Sequence, residues 1–136
     1  MRKEEKIRVG ISVGDLNGIG GELIIKTFED QRMLEFCTPI VFASVKVFSF
    51  LKKHFKSNIT FQGLNSLDKV VHGKVNVFNV WNENVAISFG KEDKKVGEFA
   101  IKSFASSVKA LSQQKIDVLV TAPINKLTIQ SEKFKF

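Results

Sequence analysis

The chain has 136 residues, 43% of them hydrophobic, which is enough for one domain with its own core. Its 21 Lys and Arg against 14 Asp and Glu give a formal charge of +7, but the lysines are dispersed and arginine is confined to Arg2, Arg8 and Arg32, so the charge predicts a solvated surface and no nucleic-acid partner. No apolar run reaches the roughly 18 to 20 residues of a membrane span. Residues 1–6 are charged and unlike a secretory signal, and the single Cys37 allows neither an internal disulfide nor a Cys-based zinc site. These features predict a cytoplasmic protein with no membrane partner. Thirteen Phe and no Tyr make the aromatic content apolar, suited to packing.

Ile7, Val9, Ile11 and Val13 predict a buried strand over 7–13. Four glycines follow (Gly14, Gly18, Gly20, Gly21), and a helical pattern opens at Glu22 and runs to about residue 33. A strand that breaks into a glycine-rich loop and then a helix is a place where α/β proteins bind anions, because the backbone can approach closely and helix-start N–H groups are unpaired. The spacing is neither the dinucleotide Gly-x-Gly-x-x-Gly nor a phosphate-binding P-loop. A tight turn with close helix–strand packing and a ligand site both fit the pattern.

Further on, Pro39 opens a strand over 39–43, and Ser44 caps a helix over 45–55 with Val47, Phe48, Leu51 and Phe55 at three- and four-residue steps. Residues 59–63 predict a strand and 65–71 a short helical turn. Residues 75–80 alternate strictly, which predicts a strand with a wetter face or an edge position. Residues 81–95 form a polar loop with a short extended piece at 85–87. The clearest helix spans 96–113, with Val96, Phe99, Ala100, Phe104, Val108 and Leu111 as its apolar stripe. Residues 116–121 have the composition of a fully buried strand and end in Thr-Ala-Pro-Ile-Asn-Lys. Strands separated by helices predict right-handed β-α-β units and a parallel or mixed sheet flanked by helices. Ligands of such sheets sit beyond the carboxyl ends of strands, where the glycine loop and residues 121–126 both lie.

Within these two loops, Asp15 either orders the turn or binds a ligand hydroxyl. Asn125 can offer an amide to substrate or cofactor. Lys126 either pairs with a phosphate or carboxylate or is a solvated lysine early in a helix, and Thr121 ends the strand or caps the next element. His54 and His72 lack neighbours at metal-ligand spacing and read as surface or turn residues. Cys37, with no partner to lower its pKa, reads as a small buried hydrophobe.

Residues 14–22, Gly-Asp-Leu-Asn-Gly-Ile-Gly-Gly-Glu, resemble the Gly-Asp-Pro-Ala-Gly-Ile-Gly-Pro-Glu signature of the 4-hydroxythreonine-4-phosphate dehydrogenase family of pyridoxal phosphate biosynthesis. Leu16 and Asn17 stand for Pro-Ala, and Gly21 for Pro. Thr121 to Lys126 is similar to that family's Thr-Ala-Pro-Ile/Leu-Asn-Lys, and Val96-Gly97-Glu98-Phe99-Ala100 resembles its Cys/Ser-Gly-x-x-Ala helix opening. The resemblance implies that residues 1–136 are a single α/β region, the N-terminal part of a longer two-domain dehydrogenase with an isocitrate/isopropylmalate-dehydrogenase-like fold. It further implies NAD and a divalent metal as cofactors, a phosphorylated small-molecule substrate and a homodimer when complete. On that reading Asp15, Asn17, Gly18, Ile19, Gly20, Thr121, Asn125 and Lys126 are candidates for binding cofactor or substrate, with Lys126 also a candidate catalytic residue. The family's metal-binding histidines lie downstream of Lys126, so this chain without the missing C-terminal part is expected to be inactive. A second reading makes it a non-enzymatic α/β module that binds a phosphorylated or nucleotide ligand at residues 14–21.

Overall fold

Five short stretches rich in β-branched and aromatic residues form one parallel sheet in the computed structural model, which describes residues 6–129. They are β1 (Ile7–Ser12), β2 (Cys37–Ala43), β3 (Phe61–Leu64), β4 (Val75–Asn79) and β5 (Val118–Thr121), in spatial order β3-β4-β2-β1-β5. Parallel neighbours cannot be joined by hairpins, so the chain crosses over through α1 (Gly20–Glu29) and α2 (Met33–Phe36), then α3 (Val45–His54), then a 3-10 turn at Leu67–Lys69 between β3 and β4, then α4 (Lys94–Ser112), with α5 (Lys126–Ile129) after β5. The first strand and the last are direct neighbours: Ile11 is opposite Val41 of β2 on one side and Val120 of β5 on the other. Ile25, Phe48, Leu51, Val41 and Val77 belong to the larger core cluster, whereas Ile40, Phe42, Ala110 and Ile116 form a smaller one with α4.

Several boundaries differ from the pattern-based expectation for physical reasons. β2 begins at Cys37, so Pro39 is its third residue rather than its first. Its carbonyl accepts from the Asn76 amide at 3.2 Å on the β4 side, where the ladder starts only at Ile40, so the missing N–H leaves no rung unmade. β4 is an interior strand rather than an edge. Its polar position, Asn76, is buried because its amide is fully engaged, accepting from Val71 N (2.9 Å) and donating to Val71 O (2.9 Å) and Lys74 O (3.1 Å) as well. Residues 85–87 form no strand.

The uncovered strand is β5, whose composition predicts full burial. Val118 and Val120 are 44% and 53% exposed, because β5 is an edge strand and no described helix covers that face. Val120, with Leu23, Thr27, Ile11 and Pro123, borders an apolar trough beside α1.

α4 starts at Lys94 instead of Val96, since Asp93 caps it: the carboxylate accepts from Lys95 N at 2.8 Å and Val96 N at 3.4 Å. Asp93→Ala is expected to cost about 1 kcal/mol, read as a lower urea midpoint at unchanged m-value. The buried face of α4 is also rotated from the predicted stripe. It consists of Val96, Gly97, Ala100, Ser103, Ser107 and Ala110, while Val108 and Leu111 are exposed. Small residues let the helix lie close on β1 and β2, and the hydroxyls on that face find backbone partners. Ser44 caps α3 as expected, its Oγ accepting from Val47 N at 3.1 Å.

Candidate functional site

The glycine loop and residues 121–126 leave the carboxyl ends of adjacent parallel strands and are bonded to each other. Asp15 N donates to Pro123 O at 2.8 Å, and Ala122 N donates to Ser12 O at 2.9 Å. Gly14 makes this possible. Its φ of +66° is in the left-handed region, and a Cβ there would run into the carbonyls of Ala122 and Pro123. From the other side, buried Ser103 of α4 accepts from Val13 N at 3.0 Å and donates to Phe42 O, tying the end of β1 to β2.

Asp15 orders the turn. Its Oδ1 accepts from Asn17 N at 3.0 Å and its carbonyl from Gly18 N at 3.0 Å. Gly18 is half-buried and Ile19 exposed, and α1 follows with buried Gly20 as its first residue. No side chain caps α1, so its leading N–H groups face the rim with Glu22 as the acidic residue of the first turn.

Asn17 is buried, and its polar atoms are taken by the chain itself. Its Oδ1 accepts from Ser88 N (2.8 Å), its Nδ2 donates to Lys91 O (3.1 Å), and its carbonyl accepts from Gly90 N (2.8 Å). Leu16, the other departure from the signature at this point, is buried in the larger core.

Thr121 is exposed at the end of β5, opposite Ser12. Asn125 caps α5, its Oδ1 accepting from Leu127 N at 2.9 Å and Thr128 N at 3.3 Å. Lys126 is the exposed first residue of that helix. α5 packs on α4 at Gly97, where a Cβ would strike the Thr128 carbonyl, which gives the Val-Gly-Glu-Phe-Ala opening a packing reason. The eight sequence candidates thus all fall on the rim formed by these two loops and the start of α1. Sequence reasoning missed Ser103 and the turn at 88–91, which reach the loop from about 70 to 90 residues away and leave no local pattern.

The other singled-out groups lie apart. His72 Nδ1 is 2.6 Å from Thr38 Oγ1 near the start of β2, whereas His54 stacks on Phe50 and lies tilted against Phe89. Cys37 is half-buried rather than buried. Its Sγ donates to Met33 O at 3.6 Å, and burial pushes the thiol pKa up. Among the described residues no three His, Cys, Asp or Glu side chains converge on a point that could hold a metal, so the divalent ion implied by the resemblance has no ligand set in them. No described helix is long and apolar enough to cross a membrane.

Known proteins place this geometry. A profile of the family described as pyridoxal phosphate biosynthetic protein PdxA matches residues 35–136. The 4-hydroxythreonine-4-phosphate dehydrogenase of Bacteroides thetaiotaomicron is 41% identical over 134 residues, covering 98% of this chain and 37% of that protein. Clostridium botulinum proteins with a provisional D-threonate 4-phosphate dehydrogenase name are 25% identical over 125 residues, again 37% of their length. A crystal structure of a 4-hydroxythreonine-4-phosphate dehydrogenase from Burkholderia phymatum superposes with a TM-score of 0.83 at 20% identity, covering 93% of this chain and 39% of that one. The fold is therefore the α/β fold of these dehydrogenases, and the chain spans somewhat more than a third of their length. By the family match and its coverage, this chain belongs to the PdxA family of pyridoxal phosphate biosynthetic proteins.

Proposed function

We propose that the chain is the N-terminal part of an NAD-dependent 4-hydroxythreonine-4-phosphate dehydrogenase. The whole enzyme oxidises the secondary alcohol of its substrate by hydride transfer to NAD, and the resulting β-keto acid loses carbon dioxide to give 3-amino-2-oxopropyl phosphate. The observation that carries this reading is the 41% identity to the Bacteroides enzyme along 98% of the chain. The backbone bond joining the two signature-like loops supports it.

On this reading the chain supplies one wall of the site. The open N–H groups at the start of α1 favour an anionic group of the substrate or cofactor, and Lys126 adds a cation on the same rim. Asp15, with Oδ1 held by Asn17 N, keeps acceptor capacity for a ligand hydroxyl. The metal ligands, the rest of the substrate pocket and the homodimer contacts come with the remaining length of the family fold. When bound, the metal would supply Lewis-acid polarisation of the reacting oxygen.

The test is a comparison of substrates with this chain joined to the remaining length of the Bacteroides relative. NAD reduction is expected with 4-hydroxythreonine 4-phosphate at a kcat/KM well above that for D-threonate 4-phosphate. Preference for D-threonate 4-phosphate would overturn the substrate assignment. Tight binding of inorganic phosphate or a nucleotide without turnover of either compound would favour the non-enzymatic module.

A further inference from the structure

The segment between β4 and α4 contains no regular secondary structure from Val80 to Asp93, yet it crosses the carboxyl rim of the sheet beside the glycine loop. Its turn at residues 88–91 is fixed at two points. Phe89 packs on rings at the end of α3, with centroids 4.7 Å from His54 and 5.7 Å from Phe55, the residue that follows the helix. The polar fixing point is a single residue, Asn17, which is 2% exposed. It accepts from Ser88 N at 2.8 Å, accepts from Gly90 N at 2.8 Å through its backbone carbonyl, and donates to Lys91 O at 3.1 Å. Gly90 has a φ of +83° and Lys91 N bonds to Ser88 O at 3.2 Å, so the turn is a tight one, and three of its backbone groups are held by one residue, two by its side chain and one by its carbonyl.

A buried amide that meets two backbone groups of one distant turn, and holds a third with its own carbonyl, exceeds what a lone turn residue needs to be satisfied. Asn17 itself sits two residues beyond Asp15, whose carboxylate bonds its N–H, and directly before Gly18. The turn and the loop that carries Asp15 and leads into α1 are therefore joined through this one residue.

We propose that Asn17 is a positioning residue: it fastens the 88–91 turn to the glycine loop, so that the turn becomes a fixed wall of the ligand site and the loop keeps its ligand-facing form before ligand arrives. The inference rests on the functional reading above for the ligand, but the clamp itself does not. Asn17 acts through the loop and need not touch substrate.

Two variants separate the atoms involved. Asn17→Ala removes both side-chain bonds, while Asn17→Asp keeps an acceptor for Ser88 N and loses the donor to Lys91 O. Amide hydrogen exchange in the 136-residue chain tests the clamp without ligand. Exchange at Ser88 is expected to speed up on the order of tenfold in Asn17→Ala and less in Asn17→Asp. Unchanged exchange overturns the clamp. Steady-state kinetics of the assembly completed with the relative's remaining part test the positioning role. KM for 4-hydroxythreonine 4-phosphate or NAD is expected to rise on the order of tenfold in Asn17→Ala, with Asn17→Asp intermediate. A loss of folded enzyme with unchanged KM in the folded fraction would mean a structural role only and would overturn the proposal. If the wild-type assembly neither turns over nor binds these compounds, the functional reading and the positioning role both fall, and the exchange result still judges the clamp.

Discussion

Purified alone, the 136-residue chain is expected to leave NAD unreduced with 4-hydroxythreonine 4-phosphate, with or without added divalent metal, and turnover is expected to appear when the remaining polypeptide is supplied. The chemical reason is the donor inventory. Among the described residues no three metal-ligating side chains converge, and the two histidines are engaged elsewhere, with Thr38 and with an aromatic cluster. Alkoxide and ketone stabilisation is a dominant electrostatic demand in such an oxidation, and a site lacking its electrophile loses several orders of magnitude in rate. The physical reason is surface. Val118 and Val120 on β5, Leu23 on α1, and Val108 and Leu111 on α4 are large apolar side chains left in water. A parallel sheet is normally covered on both faces, so the isolated chain is expected to self-associate through the exposed face of β5. Sedimentation of the chain with and without the remaining polypeptide, alongside an NADH-absorbance assay, reads both effects. Metal-dependent turnover by the mass-verified chain alone would defeat the proposal that its catalytic groups lie in the length of the relatives that this chain does not span. Failure of the supplied polypeptide to restore turnover would count against the dehydrogenase reading.

The sheet was legible because the periodicities were strong. Ile7, Val9 and Ile11, and the three- and four-residue steps of Val47, Phe48 and Leu51, fall on the strand and helix where they are expected. α4 misled in an instructive way. Its apolar residues occupy more than one arc, and the arc that packs closest is the one with Gly97, Ala100, Ser103 and Ser107, because close approach rewards small side chains over large ones. Hydropathy reports transfer from water, whereas this contact is decided by shape and by the Ser103 hydroxyl, which satisfies both Val13 N and Phe42 O. β5 misled for the opposite reason. Val-Leu-Val does carry the composition of a buried strand, but β5 stands at the sheet edge and Val118 and Val120 stay exposed. The candidate site was legible as two loops at strand ends. Their contact, Asp15 N to Pro123 O, links residues more than 100 positions apart and arises only because β1 and β5 are neighbours.

That contact is most exposed to test at Gly14. Gly14→Ala is expected to destabilise the protein by about 2 to 3 kcal/mol, since it combines two costs. The left-handed φ of +66° penalises any Cβ by about 1 to 2 kcal/mol, and the new methyl group meets the Ala122 and Pro123 carbonyls, which must move and give up the Asp15 N bond of roughly 1 kcal/mol. Gly73 is the internal control. Its φ is +82°, but nothing lies within 4 Å of where its Cβ would be, so Gly73→Ala carries the conformational cost without the collision. It is expected to lose only about 1 kcal/mol. Urea unfolding of both variants, each checked for unchanged m-value, isolates the difference between them as the cost of separating the glycine loop from residues 121–126. In the completed assembly, Gly14→Ala is also expected to impair ligand binding, whereas Gly73→Ala is not, because only the first disturbs the carboxyl rim of β1 and β5. If Gly14→Ala stabilised the chain by the few tenths to 1 kcal/mol that Gly→Ala gives at an unstrained site, the φ at Gly14 and the junction of the two loops would both be wrong. Equal losses at the two positions would retain the strained φ and remove the contact.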